Sequence, residues 1–478
     1  DLSLNTATSF VTNTNWQAYA GETGVSYLTQ MAGLCVQNFT SAATGLAVLV
    51  ALAYGFSRRS AKTVGNFWAL LVRSVLILIP ISIVIALILV SQGTVQTFSG
   101  PVTVPLLDPV RDINGTLVTT QTIPLGPAAS QIAIKQLGVN GGGFFNANSA
   151  HPFENPTPFA NFIETIAILL IPAALCYSFG RIIGAGRKGI SLLIAMTIIF
   201  VPLLGIAIGA ELGGNPAFKT MGVDQRTTEL QPGGNMEGKE VRFGIVSSAL
   251  FSVVTTSASC GAVNSMHDSF TPIGGFVQLF MMQLGEVVYG GIGSGLYGMI
   301  VFAIIAMFIA GLMVGRTPEY LGKKIEPDEM TLATIIILIP IFLILIMTAA
   351  AVLTDAGRAA VLNPGPHGFS EILYAFTSAA QNNGSAFAGL SANSLFYNLT
   401  TAFCMFAGRF GPAVLTLALA GSLAQKKIVP AGEGTLRDHR PLFIVWLVFV
   451  VIIIGALSFL PALALGPIVE HLMFTGGT

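Results

Sequence analysis

Four short stretches of this sequence combine glycine with small polar residues inside a chain that is otherwise strongly apolar. They recur at intervals of about 120 residues. Such backbone is tolerated at membrane depth only where it is buried in protein or lines a wet cavity. Its carbonyl oxygens can replace the hydration shell of a cation. One glycine run alone would fit a surface turn, but the recurrence favours a cation filter. The stretches are Val11-Thr-Asn-Thr-Asn-Trp16, Val139-Asn-Gly-Gly-Gly143, Thr255-Thr-Ser-Ala-Ser-Cys-Gly261 and Ala380-Gln-Asn-Asn-Gly-Ser385.

The candidate filter residues come from these four stretches. None of the stretches contains Asp or Glu. Because a divalent ion prefers carboxylate ligands, we expect a dehydrated monovalent cation. Alignment places Asn15, Gly142, Gly261 and Gly384 at equivalent positions, where glycine and asparagine tolerate left-handed backbone. The polar side chains could instead cap helices or brace the loops. The candidates are Thr12, Asn13, Thr14, Asn15, Val139, Asn140, Gly141, Gly142, Gly143, Ser259, Cys260, Gly261, Asn382, Asn383 and Gly384, with Gln17 at the filter mouth.

The composition identifies the environment of these loops. The chain has 478 residues, of which 53% are hydrophobic and 9% are charged, whereas about a quarter of the residues of a soluble protein are charged. We therefore expect a polytopic membrane protein in contact with the lipid bilayer. The formal net charge is zero, which gives no indication of nucleic-acid binding. The four cysteines are scattered, and their spacing indicates neither a disulfide framework nor a metal site.

Apolar runs of about 20 residues predict membrane helices. The fifth run is interrupted at Gly285-Glu286 and again at Gly290-Gly-Ile-Gly-Ser-Gly295, so we expect a broken helix with a loop inside the membrane. Short loops rich in Lys and Arg alternate with longer, more acidic ones, which places the short loops in the cytoplasm and the filter towards the outside. The predicted helices cover 28–56, 69–91, 159–184, 190–212, 273–315, 331–353, 394–423 and 442–463.

The repeats predict the architecture. Each unit consists of a helix, a re-entrant pore helix, a filter loop and a second helix, and four units surround a pseudo-fourfold pore. The fold class is an all-α polytopic membrane protein. The first unit lacks its leading helix, which suggests that a longer protein precedes it. The repeats are 1–68, 69–189, 190–330 and 331–441, followed by a C-terminal transmembrane helix in 442–478.

Two charged residues fall near the middle of predicted membrane runs, Glu286 in the broken helix and Arg409 in the run 394–423. Charges there are expensive and face a partner or water, so we expect the two to pair beneath the filter. The pair could hold the broken helix together or act as a gate. The segment 233–240 nearly spells a phosphate-binding loop, but Glu240 replaces the required Ser or Thr. We therefore expect no nucleotide site, no cofactor and no enzymatic activity in this chain alone.

Several longer strings resemble the KdpA family, the potassium-translocating subunits of bacterial Kdp ATPases. The likeness covers the chain from end to end. It departs from the family in two helices missing at the start and in a longer loop around 100–122. The strings include Asn140-Gly-Gly-Gly-Phe-Phe-Asn-Ala-Asn148, His151-Pro-Phe-Glu-Asn155, Met266-His-Asp-Ser269, Leu362-Asn-Pro-Gly-Pro-His-Gly-Phe369 and Asn382-Asn-Gly-Ser-Ala-Phe-Ala-Gly389.

The resemblance implies a K⁺-selective, channel-like subunit of an uptake pump in the bacterial inner membrane. Potassium would enter the filter from outside and pass sideways to the P-type ATPase subunit KdpB, which would hold ATP and Mg²⁺. The small subunits KdpC and KdpF would complete the complex. Glu286 and Arg409 would divert the ion from a direct cytoplasmic exit. The alternative is a self-standing potassium channel or symporter of the Trk/Ktr type, driven by the membrane potential.

Overall fold

A computed structural model describes residues 1–315, 317–429 and 436–475. Arg316 and residues 430–435, which fall in two of the short loops predicted to be cytoplasmic, lie outside the described residues. The helices are α1 (Leu2–Val11), α2 (Gly21–Gly24), α3 (Val36–Ser57), α4 (Phe67–Ser91), α5 (Ala128–Leu137), α6 (Pro158–Ile182), α7 (Gly186–Leu212), α8 (Pro216–Thr220), α9 (Gly244–Ser257), α10 (Pro272–Gln283), α11 (Ser294–Met313), α12 (Pro327–Leu353), α13 (Asp355–Arg358), α14 (Pro366–Gln381), α15 (Leu395–Gln425), α16 (Pro441–Leu463) and α17 (Val469–Thr475).

Eight helices in the described part of the chain are long and apolar enough to cross a membrane, as predicted. Their starts follow familiar capping chemistry. The side chains of Asn66, Thr157 and Ser394 each accept a hydrogen bond from a backbone N–H in the first turn. Two spans are extended by π-helical turns, Thr29–Cys35 before α3 and Ala464–Ile468 after α16. The chain is therefore a multi-pass, mostly helical membrane protein.

Four shorter helices, α1, α5, α9 and α14, end at the four polar stretches, and α5, α9 and α14 are mostly buried. α5 is buried along its whole length except for the partly exposed Ser130. α14 is buried from Ser370 to Ala380. The long helix α15 packs against α1, α3, α12 and α14. The surrounding spans therefore hold the short helices in fixed positions and point their C-terminal ends at one another.

The predicted break in the fifth apolar run is confirmed. α10 ends at Gln283 and α11 begins at Ser294, and the intervening loop carries two non-glycine residues with positive φ, Glu286 (47°) and Tyr289 (53°). The glycines permit close backbone approach. A Cβ on Gly293 would lie 2.1 Å from the carbonyl oxygen of Gly45 in α3. The break is thus packed directly against the first span.

Two small hairpins depart from the all-α prediction. β1 (Val102–Arg111) pairs with β2 (Leu117–Ile123), and β3 (Glu319–Tyr320) pairs with β4 (Lys323–Lys324), both antiparallel. The first hairpin occupies the loop around 100–122 that is longer than the resemblance predicts. The run Leu117-Val-Thr-Thr-Gln-Thr-Ile123 is rich in β-branched residues, which is typical of a strand, and this signal was available in the sequence.

Candidate functional site

The four pore helices end in the same backbone turn. Asn13, Val139, Ser259 and Asn382 adopt left-handed φ angles of 63°, 52°, 57° and 61°. The residue after each one donates its backbone N–H to the carbonyl five positions earlier. These four bonds measure 3.0 Å at Thr14, 2.9 Å at Asn140, 3.1 Å at Cys260 and 2.8 Å at Asn383. The repeated turn shows that the four loops are structural equivalents.

This turn also corrects the predicted register of the second loop. Counting from the left-handed residue makes Gly141, and not Gly142, the equivalent of Asn15, Gly261 and Gly384. Asn15 and Gly141 confirm this by the same bond, since each donates its N–H to the carbonyl six positions earlier, at 3.2 and 3.1 Å. Three consecutive glycines allow three alignments by sequence. Only the hydrogen bonds back to the pore helix select one of them.

The four loops form a closed ring. Asn15 Nδ2 donates to the Gly141 carbonyl at 3.1 Å, and the Gly261 N–H donates to the Asn140 carbonyl at 3.3 Å. Ser259 Oγ donates to the Asn382 carbonyl at 3.0 Å, and Asn382 Nδ2 donates to Thr14 Oγ1 at 3.0 Å. Each loop thus bonds to the next, and the fourth returns to the first.

The backbones of neighbouring loops come so close together that two positions in the ring must be glycine. A Cβ on Gly141 would lie 2.0 Å from the backbone nitrogen of Gly261, and a Cβ on Gly384 would lie 1.8 Å from the carbonyl oxygen of Thr14. Both glycines have positive φ, 83° and 100°, which costs other residues free energy. Any side chain at these positions would force neighbouring loops apart.

Asparagine side chains brace the ring. Asn13 Nδ2 donates to the Val139 carbonyl at 3.1 Å, and Asn15 Nδ2 donates to Asn38 Oδ1 on α3 at 2.8 Å. Asn140 Nδ2 bonds to Asn13 Oδ1 and to the Asn38 carbonyl. These contacts agree with the bracing interpretation of the asparagine side chains.

Two cavities lie at opposite faces of the ring. The larger, which we call the vestibule, has a volume of about 510 Å³ and is lined by Asn15, Gln17, Gly142, Gly261 and Gly384 among others. Gln17 holds its mouth by accepting from the Gly143 N–H at 2.7 Å. The smaller, which we call the inner cavity, has a volume of about 80 Å³ and is lined by Ser259, Asn382, Glu286 and Arg409 among others. The ring is the partition between them.

The predicted ion pair between Glu286 and Arg409 is wrong, although both side chains line the inner cavity. Glu286 Oε1 accepts instead from Asn383 Nδ2 at 2.7 Å. The left-handed turn at Glu286 explains this, because it directs the carboxylate to the fourth loop. Among the residues that the structure describes, neither Glu286 Oε2 nor Arg409 Nη2 has a hydrogen-bond partner, and both atoms are buried. Glu286 and Arg409 therefore line the same cavity, each with one of these polar atoms unsatisfied.

Sequence reasoning missed a buried lysine in the second pore helix. Lys135 forms an ion pair with Glu154, and both side chains are almost fully buried. Lys135 Nζ also donates to Asn148 Oδ1 at 3.0 Å, and Glu154 Oε1 accepts from the Phe145 N–H at 2.9 Å. The Lys135 carbonyl receives the two N–H bonds that shape the second loop. A lysine one turn before a filter loop was the available signal.

Near the start of α14, one histidine is bonded to two carboxylates. His367 Nε2 bonds to Asp268 Oδ1 at 3.1 Å, and Nδ1 bonds to Glu470 Oε1 at 2.8 Å. Burial alone would lower the pKa of His367. The bonds from Asp268 and Glu470 outweigh burial and raise this pKa to about 10. The protonated ring therefore ties α14 and α17 together.

Comparison with known proteins identifies the family. Residues 1–472 match the model of KdpA, described as potassium-transporting ATPase A subunit. The chain belongs to the KdpA family. A relative from Methanoregula boonei named potassium-transporting ATPase potassium-binding subunit is 70% identical over 100% of this chain and 81% of its own length. A relative of the same name from Sorangium cellulosum is 63% identical over 99% of this chain and 82% of its own length.

The fold of this KdpA-family chain is similar to that of a solved transporter. The crystal structure of the potassium transporter TrkH from Vibrio parahaemolyticus matches with a TM-score of 0.54 and 12% sequence identity, covering 86% of this chain and 75% of TrkH. At this identity the likeness concerns the fold alone.

Proposed function

We propose that this chain selects K⁺ in the ring of four loops and delivers it to a P-type ATPase subunit for import. The observation that carries the proposal is the closed ring of backbone turns between two cavities. The carbonyls of the loops Thr12–Asn15, Val139–Gly143, Ser259–Gly261 and Asn382–Gly384 are the ligands, and K⁺ is the metal ion for which the site is selective. Gln17 shapes the mouth on the vestibule side, which faces the cell exterior.

The electrostatics of the ring favour a cation even though the four loops supply no carboxylate ligand. The C-terminal ends of four pore helices point at the ring, and each contributes a partial negative charge of about half an elementary charge. The loop backbone that supplies the carbonyls is braced by side-chain bonds, so it need not reorganise when an ion enters. This combination supports a monovalent cation that sheds its water.

The broken helix supports a sideways route for the ion. The loop 284–293 crosses beneath the ring, and Glu286 and Arg409 face the inner cavity with unsatisfied polar atoms. We expect Arg409 to repel an ion that moves straight on, so that the ion leaves laterally towards the partner subunit. Arg409→Ala should then raise ATP hydrolysis per ion transported at unchanged thermal stability. Unchanged coupling would contradict a diverting role.

The names of the relatives, which describe a potassium-binding subunit of a potassium-transporting ATPase, support a complex with an ATPase. ATP and Mg²⁺ belong to the partner KdpB in this proposal, and KdpC and KdpF complete the assembly in a bacterial-type inner membrane. This chain contributes no catalytic residue and no cofactor.

The deciding experiment uses the chain produced with its native neighbours. The proteins that purify with it are identified, and ATP hydrolysis by the complex is measured against micromolar K⁺. K⁺-stimulated hydrolysis supports the pump. Passage of K⁺ through liposomes by the chain alone, without ATP, would favour a self-standing channel or symporter of the Trk/Ktr type, to which the TrkH-like fold is also suited.

A further inference from the structure

A chain of hydrogen-bonded side chains runs behind the fourth loop, from the vestibule to Glu286. His267 Nδ1 lies 2.8 Å from Tyr374 Oη, and Tyr374 Oη lies 2.8 Å from Ser385 Oγ. Ser385 Oγ lies 2.5 Å from Asn383 Oδ1, and Asn383 Nδ2 lies 2.7 Å from Glu286 Oε1. His267 and Ser385 line the vestibule, and Glu286 lines the inner cavity. This series of side chains therefore runs beside the ring and links its two faces.

The hydrogen-bonding capacities of these groups give the chain one direction. Asn383 Oδ1 can only accept, so the single Ser385 hydroxyl proton is donated to it. Tyr374 must then donate its own proton to Ser385 Oγ. The contact with His267 is satisfied only if His267 Nδ1 carries a proton and donates to Tyr374 Oη. Burial lowers the pKa of His267 to about 3, which agrees with a neutral ring whose Nε2 is an acceptor without a partner in the described part of the chain.

This direction fixes the side-chain amide of Asn383. Oδ1 accepts from Ser385 Oγ and from the Ser385 N–H at 3.0 Å. Nδ2 donates to Glu286 and to the Thr255 carbonyl at 3.1 Å. A flipped amide would set Nδ2 against the Ser385 N–H, and Oδ1 against the Glu286 carboxylate and the Thr255 carbonyl, so at least three of the four bonds would be lost. The backbone carbonyl of the same residue lies in the ring, 3.0 Å from where a Cβ on Gly261 would stand.

The side chains that tie the other three loops are different ones. At the equivalent position, Thr14 Oγ1 bonds to Thr12 Oγ1 of its own loop at 2.8 Å, and Cys260 Sγ lies 3.7 Å from Gln136 Oε1. Asn140 bonds to its neighbours Asn13 and Ser41. The fourth loop is tied by a relay of three further side chains, and Tyr374 is the central member of that relay.

We infer that Tyr374 is a positioning residue for ion selection: its hydroxyl orients Ser385, and through Ser385 it holds Asn383 and the fourth-loop carbonyl at the spacing that suits K⁺. The inference rests on the proposed function, since it assigns a selectivity role within the proposed filter. Tyr374 is fully buried, and its ring stacks on Phe387 with centroids 4.2 Å apart. Removing the hydroxyl alone therefore leaves the packing in place.

The test compares two tyrosine-to-phenylalanine variants in the complete complex. Tyr374→Phe removes the relay hydroxyl. Tyr397→Phe is the matched control, because Tyr397 is also fully buried and donates one hydrogen bond, to the Gly357 carbonyl at 2.9 Å. The measurement is ATP hydrolysis titrated with KCl and with RbCl. The readout is the ratio of the half-maximal concentrations for the two ions, together with the maximal rate.

We expect Tyr374→Phe to raise the half-maximal K⁺ concentration about tenfold, corresponding to about 1.4 kcal/mol, and to narrow the discrimination between K⁺ and Rb⁺ at an unchanged maximal rate. Tyr397→Phe should preserve both values. Wild-type values of affinity and ion ratio in Tyr374→Phe would overturn the inference. If that variant does not assemble, Ser385→Ala decides in the same way, because it removes the donor to Asn383 Oδ1 without touching the aromatic packing.

Failure of the proposed function would look different. In that case the wild-type complex itself would show no K⁺-dependent hydrolysis. If the wild type and Tyr374→Phe both discriminate K⁺ from Rb⁺ equally well, only the positioning role of Tyr374 is refuted.

Discussion

The corrected register of the second loop makes a prediction about two adjacent glycines. A methyl group added to Gly141 would lie 2.0 Å from the backbone nitrogen and 2.3 Å from the Cα of Gly261. Neither atom can move without opening the ring. The same methyl group on Gly142 would lie 2.9 Å from Gln17 Oε1 and 3.1 Å from the Asn15 carbonyl oxygen. The first of these contacts is the end of a side chain, which can rotate away.

The free-energy cost of each alanine substitution has two parts, backbone strain and crowding of the added methyl group. Both glycines have positive φ, 83° and 70°, and alanine in such a conformation costs about 1 to 2 kcal/mol. Overpacking against fixed atoms adds about 1 to 3 kcal/mol, and this second cost falls mainly on Gly141→Ala. Gly184 provides the control, because its φ is also 70° and an added Cβ would meet no atom within 4 Å. Gly184→Ala therefore measures the strain alone.

The assay is K⁺-stimulated ATP hydrolysis by the complex, with the melting temperature measured alongside it. Gly141→Ala should raise the half-maximal K⁺ concentration about a hundredfold or abolish the stimulation, which corresponds to about 3 kcal/mol. Gly142→Ala should raise it about tenfold or less, and Gly184→Ala should leave it unchanged while lowering the melting temperature slightly. A greater defect in Gly142→Ala than in Gly141→Ala would refute the structural register. Equal effects of all three variants would mean that backbone strain, and not the ring, is being measured.

Two further predictions concern the groups that support the ring. Lys135→Met should lower the free energy of unfolding by about 3 to 5 kcal/mol, because it leaves Glu154 buried without its counter-charge, and the double variant Lys135→Met/Glu154→Leu should recover part of the melting temperature; no recovery would show that the lysine acts other than through this pair. For His367, a folded-state pKa of about 10 against an ordinary 6.5 means that its ion pairs stabilise the protein fully below pH 6.5 and are lost as the pH rises through 10. The melting temperature of the wild type should therefore fall more steeply than that of His367→Gln between pH 7 and 10, and parallel curves would contradict this account.

The sequence predicted those features that depend on local composition and spacing. The eight spans, the break in the fifth apolar run and the four polar loops all follow from apolar length and from glycine, and the structure contains them. The boundaries assigned to the four repeats stay a prediction. The ionic role of the loop residues also stays a prediction, although the ring places them together.

The errors share a physical cause, since each depends on a contact between distant segments. The choice between Gly141 and Gly142 is made by hydrogen bonds to the Lys135 carbonyl, because three identical glycines cannot be aligned uniquely by sequence. Glu286 faces Asn383 instead of Arg409 because a single left-handed residue redirects it. Neither contact can be read from apolar periodicity. The relay through Tyr374 was hidden for the same reason, since a tyrosine in a pore helix looks like any core residue.

The closure of the ring also sets an order for biosynthesis. Thr14 and its partner Asn382 are separated by 368 residues, so the first loop is made long before the loop that completes it. At a synthesis rate of 5 to 20 residues per second, the interval is about 20 to 70 s. During this interval, the polar turn that follows the first pore helix lacks its contact with the fourth loop. The nascent chain must shelter that turn, by the translocation machinery or by its own spans, until the fourth repeat arrives.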